Sequence, residues 1–165
     1  MTDLQTKNAF RMTVQQAAAA DMAEILALTE QVFADEQASP RELIPIPAEQ
    51  EPRWWYIRQE GRIAATVALY RDGKEWHMGR LAVAPSLRGS HIATQLLETA
   101  IPAAFATGID VIRTDSRDAT VHILQKFGGE ITGKTEVFFK GNITPVVLKR
   151  ENLPPEYQRA AKTHE

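Results

Sequence analysis

A cationic turn between an apolar segment and a helix is the part of this chain best suited to chemistry. Residues 81–84 are apolar, Arg88 and Gly89 follow in a turn, and apolar residues then recur at helical spacing from Ile92. The first turn of a helix has N–H groups without internal partners, and the helix dipole places positive charge behind them. With Arg88 as a cation and Ser90 as the predicted cap, this pattern predicts a phosphate site.

Two other side chains are candidate bases. His77 lies in a predicted strand, where it is either a base that acts through a water molecule or a partly exposed strand residue. Asp115 follows a short buried strand, and ligands of α/β sheets bind at the carboxyl ends of strands. Asp115 therefore either faces a site, as a base or a substrate-orienting group, or caps the next helix.

The composition indicates an ordinary soluble domain and excludes several chemistries. The chain has 165 residues, a net charge of −2, no cysteine and four histidines without ligand spacing. These features argue against thiolate chemistry, a metal site and a nucleic-acid partner. There is no apolar run of the ~20 residues needed to cross a membrane, and the start lacks a signal pattern. We therefore predict a cytoplasmic protein with no metal and no membrane partner.

Strands and helices alternate, but residues 52–84 have the pattern of hairpins, with a tight turn at Asp72-Gly73. This order predicts a mixed α/β sheet of about seven strands with about four helices on its faces. Residues 1–8 are predicted to be flexible, 9–150 to form one domain, and 151–165 to form a polar tail outside the core. Helices are expected over 17–33, 90–106 and 119–127; strands are expected over 10–14, 54–58, 63–70, 111–112, 136–140, 145–149 and a segment ending near 84.

The loop and its flanking strand resemble those of the GNAT-type N-acyltransferases, over roughly residues 10–150. Val83-Ala84-Pro85 matches the turn after the family's fourth strand, and Arg88-Gly89-Ser90-His91-Ile92-Ala93 is similar to its Arg/Gln-x-x-Gly-x-Gly/Ala loop. Residues 32–37 and 136–139 are similar to the corresponding segments of the ElaA-like branch, which is the closest in pattern.

The resemblance implies acetyl-coenzyme A as the acyl donor and a small-molecule amine as the acceptor. Backbone groups of Leu81, Ala82 and Val83 would pair with the pantetheine arm, and one N–H would polarise the thioester carbonyl. The amine would then attack directly, so that catalysis rests on orientation and carbonyl polarisation. The resemblance assigns the diphosphate to the backbone amides of Arg88, Gly89, Ser90, His91, Ile92 and Ala93.

Three positions depart from the family pattern. The middle glycine of the loop is His91, whose imidazole either contacts phosphate or points to solvent. The family's general-acid tyrosine falls at Leu124, which we expect to be a packing residue. The acidic residue that often precedes the equivalent of Arg80 is Gly79, so the usual strand-borne base is missing too.

Three residues are candidates for the acceptor side. Glu36 and Gln37 end the first helix near the expected acceptor cleft, where they either contact substrate or are plain surface groups. Trp54 and Trp55 alternate across a strand, so one is expected to enter the core and the other to meet solvent or a ligand, with Trp55 as the candidate for the ligand contact.

Two further readings stay open. One is a longer-chain acyltransferase of the acyl-homoserine-lactone-synthase type, which would need a wider apolar channel. The other is a non-catalytic module that binds acyl-coenzyme A, which the missing tyrosine and the loop histidine favour. A homodimer is an open alternative to a monomer.

Overall fold

Eight strands form one mixed sheet in the computed structural model, which describes residues 12–162. The order is β1-β2-β3-β4-β5-β8-β6, and β7 pairs with β8 beside this path. Neighbours in this order are antiparallel except β4 and β5, whose single parallel register pair is His77 with Arg113. The strands are β1 (Val14–Gln16), β2 (Arg53–Gln59), β3 (Arg62–Asp72), β4 (Glu75–Val83), β5 (Val111–Ser116), β6 (Glu130–Ile131), β7 (Glu136–Phe138) and β8 (Gly141–Lys149).

The helices cover both faces of this sheet, which confirms the predicted mixed α/β architecture. On one face, α1 (Met22–Thr29) continues as a π-helix over Glu30–Glu36 and buries its apolar side against β2 and β3. On the other face, α2 (Ile92–Phe105) and α3 (Asp118–Lys126) pack on the main core. Strand alternation divides the two cores, because successive side chains of β2 and β3 point to opposite faces.

The predicted elements are largely found, with differences at their ends. Asp72 pairs with Glu75, so Gly73-Lys74 is the two-residue turn of the β3–β4 hairpin. Strand β5 extends to Ser116, well beyond the predicted 111–112, and β8 begins at Gly141 rather than at 145. Glycine and proline normally mark the limits of strands. Because β8 begins at Gly141 and contains Pro145, the sequence pattern did not indicate its first half. Residues 10 and 11 of the predicted strand 10–14, like residues 1–8 and His164, lie outside the described residues, and β1 begins only at Val14, the last residue of that prediction.

The prediction that the tail leaves the core is wrong for residues 151–162. Leu153 and Ala161 are buried in the main core, and the short helix α4 (Pro155–Gln158) places Tyr157 against the Phe127 ring at a centroid distance of 5.0 Å. Gly128, with φ of 81°, ends α3 and leaves no room for a side chain, because a Cβ there would lie 2.2 Å from the Asn152 carbonyl oxygen. The tail therefore closes over the end of α3.

Candidate functional site

A bulge in β4 marks the centre of the candidate site. Thr66 pairs with Ala82 and Ala68 pairs with Gly79, so β4 has one residue more than β3 over this stretch. Arg80 lies in the bulge with a left-handed φ of 58°. Bulges of this kind occur next to active sites because they re-aim backbone groups, and a non-glycine residue at positive φ costs on the order of 1–3 kcal/mol. The fold keeps this strained backbone beside the cleft described next.

A cleft of about 250 Å³ opens where β4 and β5 separate. Its walls include Gly79, Arg80 and Leu81 from β4 and Thr114 and Asp115 from β5. The two strands share one ladder pair, at His77 and Arg113, and the carboxyl-terminal residues of both line the cleft instead of pairing with each other. The separation of two parallel strands thus makes a slot with unpaired strand edges on both sides.

The predicted phosphate loop stands at the carboxyl end of β4. Helix α2 begins at Ile92, its N-cap is His91, and no side chain caps it. The N–H groups of its first turn have no carbonyl four residues earlier to bond, so they remain available to an anion. The predicted cap role of Ser90 is wrong, because its hydroxyl donates to the Leu87 carbonyl instead.

His91 has a left-handed backbone, with φ of 64°, at the loop position where the related pattern has glycine. Glycine adopts this conformation without strain, and histidine is among the residues that tolerate it. The side chain is exposed. The departure at His91 is therefore compatible with the loop geometry.

The Arg88 side chain is held by contacts with Val83 and Glu36. Its guanidinium donates to the Val83 carbonyl, with Nε and Nη2 at 3.2 and 3.1 Å, and Nη2 lies 2.6 Å from a carboxylate oxygen of Glu36. The cation thus joins the end of β4 to the end of the π-helix. A phosphate ligand would have to compete with Glu36 for this guanidinium.

Arg80 holds the segment at Leu43 and Ile44 against the bulge. Its Nε donates to the Ile44 carbonyl at 2.8 Å and its Nη2 to the Leu43 carbonyl at 2.9 Å. The same guanidinium lies 5.7 Å from the centre of the Tyr70 ring, within the range of a cation–π contact. The long Arg80 side chain therefore fixes one rim of the cleft.

Tyr70 lines the cleft beside Gly79. A Cβ at Gly79 would lie 3.4 Å from Cε1 and 3.5 Å from the hydroxyl oxygen of Tyr70. Burial raises the pKa of the Tyr70 phenol, while the nearby Arg80 charge opposes that shift. The phenol therefore stays protonated at neutral pH.

Arg117 fixes the opposite rim. Its Nη1 donates to the Phe138 carbonyl at 2.8 Å, and its guanidinium lies 5.4 Å from the centre of the Phe138 ring. Gly141 makes room for it, because a Cβ there would lie 2.6 Å from Nη1. Burial lowers the pKa of Arg117, with the Asp118 charge opposing that shift. The β7–β8 hairpin is thereby held at the mouth of the cleft.

The two candidate bases differ in their positions. Asp115 lines the cleft, and it does not cap α3, whose N-cap is Arg117 without a side-chain cap bond. His77 stacks on Tyr70 at a centroid distance of 5.6 Å, and its Nε2 lies 3.5 Å from a Glu75 carboxylate oxygen without forming a hydrogen bond. His77 is not among the residues that line the cleft. Of the two, Asp115 is the one positioned to meet a ligand.

None of the predicted acceptor-side residues, Glu36, Gln37 and Trp55, is among the residues that line the cleft. Trp54 and Trp55 are both 4% exposed, one in each core, so the predicted contact of Trp55 with a ligand is wrong. Glu36 is engaged with Arg88. The Gln37 carbonyl accepts the Lys140 N–H, and its buried side-chain Oε1 has no hydrogen-bond partner within residues 12–162.

Sequence reasoning missed two site residues, Tyr70 and Arg80, and the role of Arg117 in holding β7. A signal existed for Tyr70, because the Gly73-Lys74 turn sets the hairpin register and places Tyr70 opposite His77, two residues from Gly79. No sequence signal indicates the positive φ of Arg80 or the contact between Arg117 and β7. Leu124 is 2% exposed and also lines the cleft, as expected for a packing residue.

Within residues 12–162, no group of three or more histidine or acidic side chains is placed to hold a metal ion. In the same part of the chain, none of the helices has the length and apolar character to traverse a membrane.

The family follows from comparison with known proteins. The family model described as "Acetyltransferase (GNAT) family" matches residues 19–128, which include α1, the bulged strand, the loop and α3. The chain belongs to the GNAT acetyltransferase family. It is therefore an acyl-coenzyme A N-acyltransferase in general class. No curated protein matches this chain closely enough to count as a relative.

Several solved structures share the fold of this chain. ElaA from Escherichia coli superposes with a TM-score of 0.72 at 16% identity, covering 84% of this chain and 99% of that one. A putative N-acetyltransferase from Lactobacillus plantarum gives 0.71 at 16% identity, covering 84% and 97%. An acyl-CoA N-acyltransferase from Pseudomonas aeruginosa gives 0.68 at 15% identity, covering 83% and 99%. At these identities the likeness concerns the fold alone.

Proposed function

We propose that this protein transfers an acetyl group from acetyl-coenzyme A to the amine of a small molecule. The observation that carries the proposal is the bulged end of β4, which faces the cleft at Arg80 and Leu81 and leads into the open first turn of α2. Unpaired strand edges suit an extended amide-containing arm, and free helix N–H groups suit a diphosphate.

In this proposal the donor lies along β4. The backbone of Leu81, Ala82 and Val83 pairs with the pantetheine arm, and amides of the 88–93 loop bind the diphosphate. Those of Arg88 and Ser90 would first have to release the Pro85 and Leu87 carbonyls, to which they donate at 3.4 and 3.3 Å. Arg88 exchanges Glu36 for a phosphate oxygen, since it already lies at the end of β4. The thioester then lies beside the bulge at Arg80.

Acyl transfer in this site proceeds by direct attack of the amine on the thioester carbonyl. The chain has no cysteine to form a thioester of its own. Orientation in a narrow slot and a backbone N–H at the carbonyl oxygen supply the main stabilisation. Asp115, at the cleft wall, is the candidate to accept the amine proton.

The size and walls of the cleft support a small acceptor and a short acyl group. The space is about 250 Å³, and Phe33, Leu43 and Phe138 give its acceptor side an apolar rim. A long acyl chain would need a deeper apolar channel than this. An acetyl donor and a compact amine with an apolar part fit the site best.

Amine-dependent thiol release from acetyl-coenzyme A tests the proposal. A panel of small primary amines should contain acceptors that accelerate release, and Arg88→Glu should reduce it by raising the donor KM. The specific observation in favour of a non-catalytic binder is the buried Leu124 in place of a tyrosine. That alternative would be supported if coenzyme A binding saturates while no amine in the panel releases thiol.

A further inference from the structure

The proposed acyl transfer needs a proton for the leaving thiolate. The related family has a tyrosine and an acidic residue for proton transfer at the positions of Leu124 and Gly79. Leu124 has no proton to give, and Gly79 has no side chain. Both positions line the cleft. Any acid at the reacting centre must therefore come from another element.

Tyr70 reaches this centre from β3. Its side chain is on the α1 face of the sheet, packed against that core, and its ring leans over Gly79. The hydroxyl oxygen would be 3.5 Å from a Cβ at Gly79, so the phenol lies immediately beside the backbone that enters the bulge. Tyr70 and Gly79 thus line the cleft side by side, at ordinary contact distance.

Burial and the nearby carboxylates favour the neutral form of Tyr70, while the Arg80 charge opposes them. Arg80 lies over its ring at 5.7 Å, His77 stacks on it at 5.6 Å, and the charges of Asp115 and Asp72 act on it from β5 and from its own strand. Burial is the largest influence and raises the phenol pKa. A phenol that stays protonated, at the wall of a cleft, can donate a proton during turnover.

We propose that Tyr70 is the general acid of this enzyme, donating its hydroxyl proton to the sulfur of the departing coenzyme A thiolate. The inference rests on the proposed function. In the balanced step the amine nitrogen bonds to the carbonyl carbon, the carbon–sulfur bond breaks, and the Tyr70 proton passes to sulfur. Asp115 takes the surplus proton of the amine and returns it to the Tyr70 phenolate, so that both side chains end as they began.

Tyr70→Phe tests the inference, because it keeps the ring that contacts Arg80 and His77 and removes the proton alone. We expect kcat to fall by about 100-fold or more, since a general acid typically contributes about 10²–10⁴-fold. The donor KM and the calorimetric affinity for coenzyme A should stay within about twofold. Tyr56→Phe is the matched control: Tyr56 is buried on β2, away from the cleft wall, and its variant should keep the wild-type kcat.

Two further variants separate an acid from a packing role. Adding Leu124→Tyr to Tyr70→Phe should restore part of kcat, by supplying a phenol from α3. Replacing Tyr70 with 3-fluorotyrosine, whose phenol is more acidic, should move the alkaline limb of the kcat profile to lower pH. Unchanged kcat in Tyr70→Phe beside an active wild type would overturn the assignment of Tyr70 alone, whereas a wild type that releases no thiol would overturn the proposed function.

Discussion

Removing the Glu36 carboxylate should tighten coenzyme A binding, because it frees the arginine that we assign to the diphosphate. In the unliganded protein Glu36 lies 2.6 Å from Arg88, and the two side chains are 29% and 46% exposed. An ion pair this exposed is worth about 0.2–1 kcal/mol. Glu36→Gln keeps the shape of the side chain and should therefore strengthen binding by roughly 1.5- to 5-fold.

Isothermal calorimetry with coenzyme A, at low and at elevated salt, measures this change. Glu30→Gln is the matched control: Glu30 lies in the same π-helix, pairs with Arg41 at 3.0 Å, and carries the same charge. Its removal should change the affinity little, and what change there is should disappear at elevated salt. Weaker binding by Glu36→Gln, or an equal gain in Glu30→Gln, would refute the proposed competition. Arg88→Glu should weaken binding at least about tenfold, or about 1.4 kcal/mol.

Four other changes test separate parts of the account. His91→Gly should raise the free energy of unfolding by roughly 0.5–1 kcal/mol, because it relieves a left-handed backbone. Leu124→Ala should lower it by about 2–5 kcal/mol, because Leu124 is 2% exposed. Leu153→Ala should lower the free energy of unfolding by a similar amount, about 2–5 kcal/mol, because Leu153 is buried in the core. The Ile63 N–H donates to the Glu24 carboxylate at 2.6 Å and lowers the pKa of that carboxyl. The resulting stabilisation is complete above pH 4.5 and is lost as the pH falls through the lowered pKa. Glu24→Gln should therefore make the free energy of unfolding depend less on pH in the acid range.

Denaturant unfolding measures all four, and the changes at His91 and Glu24 each have a control variant. His91→Ala keeps a Cβ at positive φ and should not stabilise; equal gains in the alanine and glycine variants would mean that the imidazole, not strain, is the cause. An unchanged free energy of unfolding in Leu124→Ala or in Leu153→Ala would contradict the burial of that residue. For Glu24, the exposed Glu49 offers a comparison, since Glu49→Gln should leave the pH dependence in the acid range as it is.

Local patterns in the sequence predicted the elements that carry the site. The order of a strand, a cationic turn and a helix around Arg88 led to the loop at the end of β4. Helical spacing around Leu124 correctly marked it as a packing residue. These features depend on periodicity and turn chemistry over a few neighbouring residues, which a single sequence displays directly.

Features that depend on contacts between distant segments could not be read in the same way. The pairing of Arg88 with Glu36 joins residues 52 positions apart, and Arg80 reaches the carbonyls of Leu43 and Ile44 across the sheet. The alternation at Trp54 and Trp55 was correct, but it could not show that both faces of β2 are covered. Which face is covered is decided by how α1 and α2 pack, not by the strand itself.

The tail illustrates the same limit. Its polar composition and prolines suggested a segment outside the core, whereas its two buried residues, Leu153 and Ala161, fill space left by α2 and α3. Two apolar side chains in a polar stretch carry too little periodicity to indicate burial. The close approach of Asn152 to Gly128 and the packing of Tyr157 on Phe127 fix the path of the chain there, and both join segments distant in the sequence.

A crystal structure of the complex with acetyl-coenzyme A tests the central claim most directly. The account predicts the diphosphate at the amides of residues 88–93, Arg88 turned from Glu36 to a phosphate oxygen, and the pantetheine arm paired with the backbone of residues 81–83. The thioester should lie beside Arg80, with the Tyr70 hydroxyl within hydrogen-bond distance of its sulfur. Coenzyme A bound away from the slot between β4 and β5, with the Arg88–Glu36 pair intact, would contradict it.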